Sequence, residues 1–188
     1  MAMAKARAFT VLLILFYATL QKRTIVDGAN DLFNTSTIAF TYDHSKQKTL
    51  DNFKRTSDVT TKNGIVWLTP DPRTQQQTQM GDKTGWLLYN TPFTSLPNIT
   101  SFHTSFQFQF ITPSGASDGG DGMTFFISPY HTIPEKSGGG FFGIANGTYM
   151  DAHLFAVEFD TSLTPQFDDP SQSHVGIDIN TVVSNSCR

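Results

Sequence analysis

The chain reads as an all-β protein, an antiparallel sandwich or barrel, and three observations carry that expectation. Charged residues are only 15% of the 188 positions while aromatics are 13%, with 17 Phe. That balance, with abundant Thr and Ser, favours strands over helices. Phe102–Phe110 (FHTSFQFQF) alternates strictly, which is the period of a half-buried strand. Turn-rich pieces such as Thr112–Gly122 (TPSGASDGGDG) and Pro134–Gly140 (PEKSGGG) separate the apolar runs, as sandwiches and barrels require.

Taken in order, the chain opens with Lys5 and Arg7 ahead of an apolar run, Ala8–Leu20. A positive start and a short apolar stretch read as a secretory leader over residues 1–20, the alternative being a buried N-terminal strand or helix. The run is too short to span a bilayer as a helix. Residues 21–188 are then one domain. Expected strands are Thr35–Tyr42, Ile65–Thr69, Trp86–Asn90, Phe102–Phe110, Met123–Ser128, Leu154–Asp160 and His174–Asn180. In Phe102–Phe110, the Phe residues share one side with Thr104. His103, Ser105, Gln107 and Gln109 take the other. Met123–Ser128 (MTFFIS) is continuously apolar, as suits a strand covered on both faces.

The net charge of −3 and the lack of a Lys/Arg stripe argue against nucleic acid as a partner. No segment beyond the leader is long enough to be a transmembrane helix. A lone Cys187 allows no internal disulfide. Sequons at Asn34, Asn98 and Asn146 fit an extracellular chain and place those asparagines in surface loops.

The chemistry concentrates in Val157–Asn180, VEFDTSLTPQFDDPSQSHVGIDIN. Side chains two apart on a strand share a face. Phe155, Val157 and Phe159 therefore lie on one side of their strand, with Glu158 and Asp160 on the other. If the apolar side meets the core, the acids face out of it. In the next strand Val175, Ile177 and Ile179 oppose His174, Gly176, Asp178 and Asn180. Antiparallel pairing would bring His174 beside Asp160, with Asp169 folding back from the loop. Adjacent carboxylates repel unless a cation joins them. One imidazole with several carboxylates suits Mn²⁺, and oxygen ligands alone suit Ca²⁺. A solvated acidic hairpin is the alternative.

Four ordered motifs then resemble the legume-type (L-type) lectins, especially the lectin ectodomains of plant receptor kinases: DGMTFFISP (Asp121–Pro129), SGGGFFGI (Ser137–Ile144), AVEFDT (Ala156–Thr161) and HVGIDIN (His174–Asn180). The resemblance implies a concanavalin A-like jelly roll. Because such lectins continue through further strands, it also implies a sandwich incomplete at its C-terminus, with Phe106, Phe108 and Val157 exposed. It implies a manganese site at Glu158, Asp160, Asp169 and His174. A calcium site would share Asp160 and Asp169, adding the Ser162 carbonyl and the side chain of Thr164. A shallow sugar pocket would form from Asp121, Gly140 and Thr164, with the Gly120–Asp121 bond cis. The expected partner is a glycan or glycoprotein, alongside self-association or association with a longer receptor. The expected location is extracellular, or the plasma membrane within such a receptor.

Two positions depart from the family. Thr164 stands where Asn is usual, and a hydroxyl offers no amide donor–acceptor pair. Ser162 stands where many members carry an aromatic that stacks on sugar. Two other functions stay open on these residues. One is a lectin-like protein that has lost sugar and acts through protein contacts. The other is a glycosidase that uses the paired acids, although the third acid expected two positions after Asp160 is Ser162.

Overall fold

The computed structural model describes residues 10–22, 36–43, 47–56, 58–73, 83–91, 99–112, 120–147, 153–184 and 186–187. Among them every regular element is a strand or a short 3₁₀ turn. In chain order the strands are β1 (Thr10–Lys22), β2 (Ser36–Asp43), β3 (Phe53–Arg55), β4 (Thr60–Lys62), β5 (Ile65–Trp67), β6 (Leu87–Tyr89), β7 (Ile99–Ile111), β8 (Gly122–Ile127), β9 (Phe155–Asp160), β10 (His174–Ile179) and β11 (Ser186–Cys187). All pairings are antiparallel. The expected all-β antiparallel sandwich is the fold.

The larger sheet runs β2–β1–β5–β4, with β7 also paired to β1. The second runs β11–β10–β9–β8, and β3–β6 form a small ribbon. Alternation in β7 works as its sequence requires. Phe106, Phe108 and Phe110 are half-buried, while His103, Ser105, Gln107 and Gln109 are exposed. The phenylalanine side meets the second sheet. Phe102 packs on Phe125 and Phe155 at 6.1 and 5.6 Å between ring centroids, and Phe106 on Phe125 and Phe159 at 6.0 and 5.9 Å. Phe108 lies 4.9 Å from Phe159. Such stacked, tilted and edge-on pairs add about 0.5–1.5 kcal/mol each beyond the area they bury.

The opposite face of the second sheet carries another core. Trp86, Ile144, Ala145, Leu154, Ala156 and Val182 are buried there, with Phe126, Phe141, Phe142 and Phe167 packed against them. Covered on both faces, β8 needs the continuous apolar run it has.

The segment Thr10–Lys22, which takes in most of the apolar run Ala8–Leu20, forms β1 at the centre of the larger sheet. Glu158 and Asp160 take the face of β9 opposite Phe155, Val157 and Phe159, and that face is covered as well: the two acids are 2% and 4% exposed. One expectation is corrected: Phe106, Phe108 and Val157 are half-buried, not exposed. Among the described residues the large exposed apolar side chains are Phe102, Tyr130, Leu163 and, in a row on β10, Val175, Ile177 and Ile179 at 44%, 39% and 52%. The β7 phenylalanines reach β8 and β9, and β10 lies past them.

Candidate metal and ligand site

The site grows from the registry of β8, β9 and β10. Directly opposed residues share a face, and three rows result: Gly122, Asp160 and His174; Thr124, Glu158 and Gly176; Phe126, Ala156 and Asp178. Asp160 thus stands between a glycine and the imidazole, and Glu158 between a hydroxyl and a glycine. Asn180 closes the hairpin end: its side-chain oxygen accepts the Leu154 N–H at 2.9 Å, and its own N–H donates to the Leu154 carbonyl at 2.8 Å.

Glu158, Asp160 and His174 are all buried, and each offers one ligating atom within 4.8 Å of the others. His174 Nε2 lies 3.2 Å from Glu158 Oε1 and 4.0 Å from Asp169 Oδ1. On the far side of the ring, Nδ1 meets the Ser171 carbonyl at 3.2 Å. A carbonyl can only accept, so Nδ1 carries a proton and Nε2 is the ring position turned to the carboxylates. Asp169 folds back from the loop, as its place in the sequence suggested.

The loop hangs on the same acids. The Ser162 N–H donates to Asp160 Oδ1 and the Thr164 N–H to Asp169 Oδ2, both at 2.5 Å. A 3₁₀ turn over Pro165–Phe167 follows, with Pro in its first turn and Asp168 in the left-handed region at φ 60°. Asp tolerates that conformation better than most residues. This geometry leaves Ser162 4% exposed and Leu163 47% exposed. In this loop the outward-facing apolar side chain is Leu163, one residue beyond the position where an aromatic is usual.

Of the expected pocket residues, the structure brings Gly140 and Thr164 together. A Cβ built on Gly140 would lie 2.7 Å from the Phe167 ring and 3.2 Å from Thr164 Oγ1. Asp121 is half-buried at the start of β8. Its carbonyl accepts the Thr161 N–H at 3.0 Å, and Thr161 Oγ1 donates to the Gly120 carbonyl at 2.9 Å, tying this turn to the acid loop. The Gly120–Asp121 bond is trans, since no cis peptide occurs among the described residues. This corrects the expected cis bond, and trans is favoured by a few kcal/mol before any residue but proline. Asn146 is half-buried in the loop ahead of β9, while Asn34 and Asn98 lie outside the described residues.

Three residues beyond the expected set join the cluster. Ser184 Oγ donates to Glu158 Oε1 in a very short contact, and lies 3.0 Å from Asp178 Oδ1. Asp178 is fully buried, and its Oδ2 has no hydrogen-bond partner; nor does Thr124 Oγ1 beside Glu158. Period-two spacing from His174 placed Asp178 on this face, a signal the motif reading did not use. Ser184 sits in a loop, where spacing carries no such signal. Burial pushes the Asp160 carboxyl up to about 7, the nearby Asp169 charge adding to it while the Ser162 N–H opposes it. Asp178 is likewise raised to about 7 by burial and then by the Glu158 charge. Buried acids with raised pKa, an orphaned oxygen and a turned imidazole form a donor set that fits a divalent cation.

The fold is thus an antiparallel β-sandwich with a buried cluster of candidate metal ligands at one hairpin. The legume lectin domain family matches residues 37–188, and the chain belongs to that family. A lectin of Onobrychis viciifolia is 43% identical over 107 residues, covering 55% of this chain and 44% of the relative. The L-type lectin-domain containing receptor kinase V.9 of Arabidopsis thaliana is 40% identical over 107 residues, covering 53% of this chain and 16% of the kinase. The probable L-type lectin-domain containing receptor kinase S.7 of the same plant is 31% identical over 183 residues, covering 93% of this chain and 25% of the kinase. The chain thus spans less than half the length of these relatives. No solved structure matches it. The family is carbohydrate-binding and non-enzymatic, and its members generally bind calcium and manganese. Among the described residues, no helix is long and apolar enough to cross a membrane.

Proposed function

We propose that this domain binds glycans through a shallow pocket of Asp121, Gly140 and Thr164, organised by divalent cations beneath it. One observation carries the reading: Glu158, Asp160 and His174 converge, all buried, on one face of a single hairpin. Manganese would be held by Glu158, Asp160, Asp169 and His174. Calcium would be held by Asp160, Asp169, the Ser162 carbonyl and Thr164. Bound cations would neutralise the clustered carboxylates and fix the loop. The loop's own part is already visible, because Asp160 and Asp169 accept its backbone N–H groups. Asp121 would accept hydrogen bonds from sugar hydroxyls, and Gly140 would offer its N–H.

The N-terminal charge pattern and the three sequons support an extracellular location, at the plasma membrane if the domain belongs to a longer receptor. A second reading, a lectin-like domain acting through protein contacts, is favoured by one specific observation. The space above Gly140 is taken by Phe167, and Thr164 lacks an amide. A glycan array with and without Ca²⁺ and Mn²⁺, run beside Glu158→Gln, decides between them. Sugar retention that needs metal and is lost in the variant is expected. Silence on every glycan by a protein that still loads metal would favour the second reading. A protein that loads no metal would sink the site assigned here.

A further inference from the structure

Six large apolar side chains are exposed among the described residues, and five of them lie away from the pocket. Phe102 packs on Phe155, at the end of β9 opposite Asp160. Tyr130 follows the far end of β8. Val175, Ile177 and Ile179 take the face of β10 opposite His174. Leu163 alone stands beside the expected sugar contacts. The Asp121 carbonyl accepts the Thr161 N–H at 3.0 Å, and Thr164 Oγ1 lies 3.2 Å from where a Cβ on Gly140 would be. Residues 161–164 therefore bridge the Asp121 turn to the Gly140 loop, and Leu163 sits on that bridge.

The chain holds Leu163 outward. On one side the Ser162 N–H is bonded to Asp160 Oδ1, and on the other the Thr164 N–H is bonded to Asp169 Oδ2. Ser162 is buried by this pinning, and the next side chain along must point out. Behind Gly140 the Phe167 ring, edge-on to Phe141 at 5.1 Å, gives the pocket an apolar back. An aromatic at position 162 would lie flat on the C–H face of a sugar. A branched aliphatic end is narrow and convex, and it covers a single methyl group better than a flat face. Thr164 adds one hydroxyl and no amide, so this side of the pocket has more apolar surface than polar groups to offer.

On the reading of Asp121, Gly140 and Thr164 as a glycan pocket, we propose that Leu163 makes it selective for glycans whose terminal pyranose carries a methyl group. That methyl is the C5-methyl of a 6-deoxyhexose or the acetyl methyl of an N-acetylhexosamine. One methyl in an apolar contact is worth about 10–200-fold in selectivity, and a contact at an open rim falls at the lower end.

The test uses the full chain loaded with Ca²⁺ and Mn²⁺, and pairs of methyl glycosides matched except at that group. In one arm the L-fucoside is set against the L-galactoside, and the L-rhamnoside against the L-mannoside. In the other, the N-acetyl derivatives of glucosamine and galactosamine are set against their N-formyl counterparts. In one arm the methyl-bearing member should bind about tenfold more tightly. Leu163→Ala should bring that ratio to about one through weaker binding of the methyl-bearing member, and Leu163→Met, which keeps an aliphatic end, should retain most of it. The arm that responds identifies the methyl. Binding with equal affinities in both arms would overturn the role of Leu163 while leaving the pocket standing, as would a ratio that survives Leu163→Ala. Silence on every glycoside by the metal-loaded chain would overturn the pocket and this selectivity together.

Discussion

At the scale of single residues, what a position lacks matters as much as what it carries. Gly176 faces Glu158 across the ladder, and a Cβ there would collide with Ser184 Oγ and Glu158 Oε1. The side-chain-free position is what lets the short Ser184–Glu158 contact exist. Gly176→Ala should therefore cost about 1–3 kcal/mol, as overpacking a tight interior does. Metal loading should fall with it, since Glu158 must move. Gly138→Ala is the matched control: its Cβ would meet only Thr84 Oγ1, at 4.0 Å. Thermal unfolding and metal content of the two variants check this, and equal losses in both would count against the argument.

At the scale of elements, the β9–β10 hairpin couples folding to protons. Asp160 and Asp178 are raised to about 7, so between about pH 4 and 7 the folded chain holds protons that the unfolded chain releases. By linkage, the metal-free fold then loses stability as pH rises through that window. A cation held by the same carboxylates competes with those protons, so its binding should tighten over the same range and release protons at about pH 6. Unfolding midpoints at about pH 5 and 7.5, with and without Mn²⁺ and Ca²⁺, should fall with pH for the bare protein and fall less or rise for the loaded one. Identical slopes would refute the coupling.

These elements also show what a sequence exposes and what it hides. The strands β7 to β10 are legible because each is long enough to display a period or an unbroken apolar run. β3 and β4, three residues each, display neither. Period two sorts Glu158 and Asp160 onto one face, but it does not reveal which face a distant loop will cover. Their burial therefore had to come from the structure. β1 falls on an apolar run whose charge and length also read as a leader, so the sequence did not single it out as a strand.

At the scale of the whole molecule, the second sheet separates two interiors, one aromatic against β7 and one, beneath the loops, where the buried acids lie beside a second apolar core. The aromatic interior ends before β10, leaving Val175, Ile177 and Ile179 in contact with solvent. Changing all three to Thr keeps β-branched side chains on the strand while removing the apolar stripe. Binding of a hydrophobic dye should fall, stability should shift by about 0.5 kcal/mol or less per site, and metal content should be unchanged. Unaltered dye binding would show that the stripe is covered in solution. The registry of this sheet has a last consequence. Sliding β10 by one residue along β9 would carry Val175 and Ile177 in among the acids and throw His174 and Asp178 onto the open side. An ion that requires His174 opposite Asp160 would accept only one of those alignments, and so would act as a proofreader of the hairpin's reading frame.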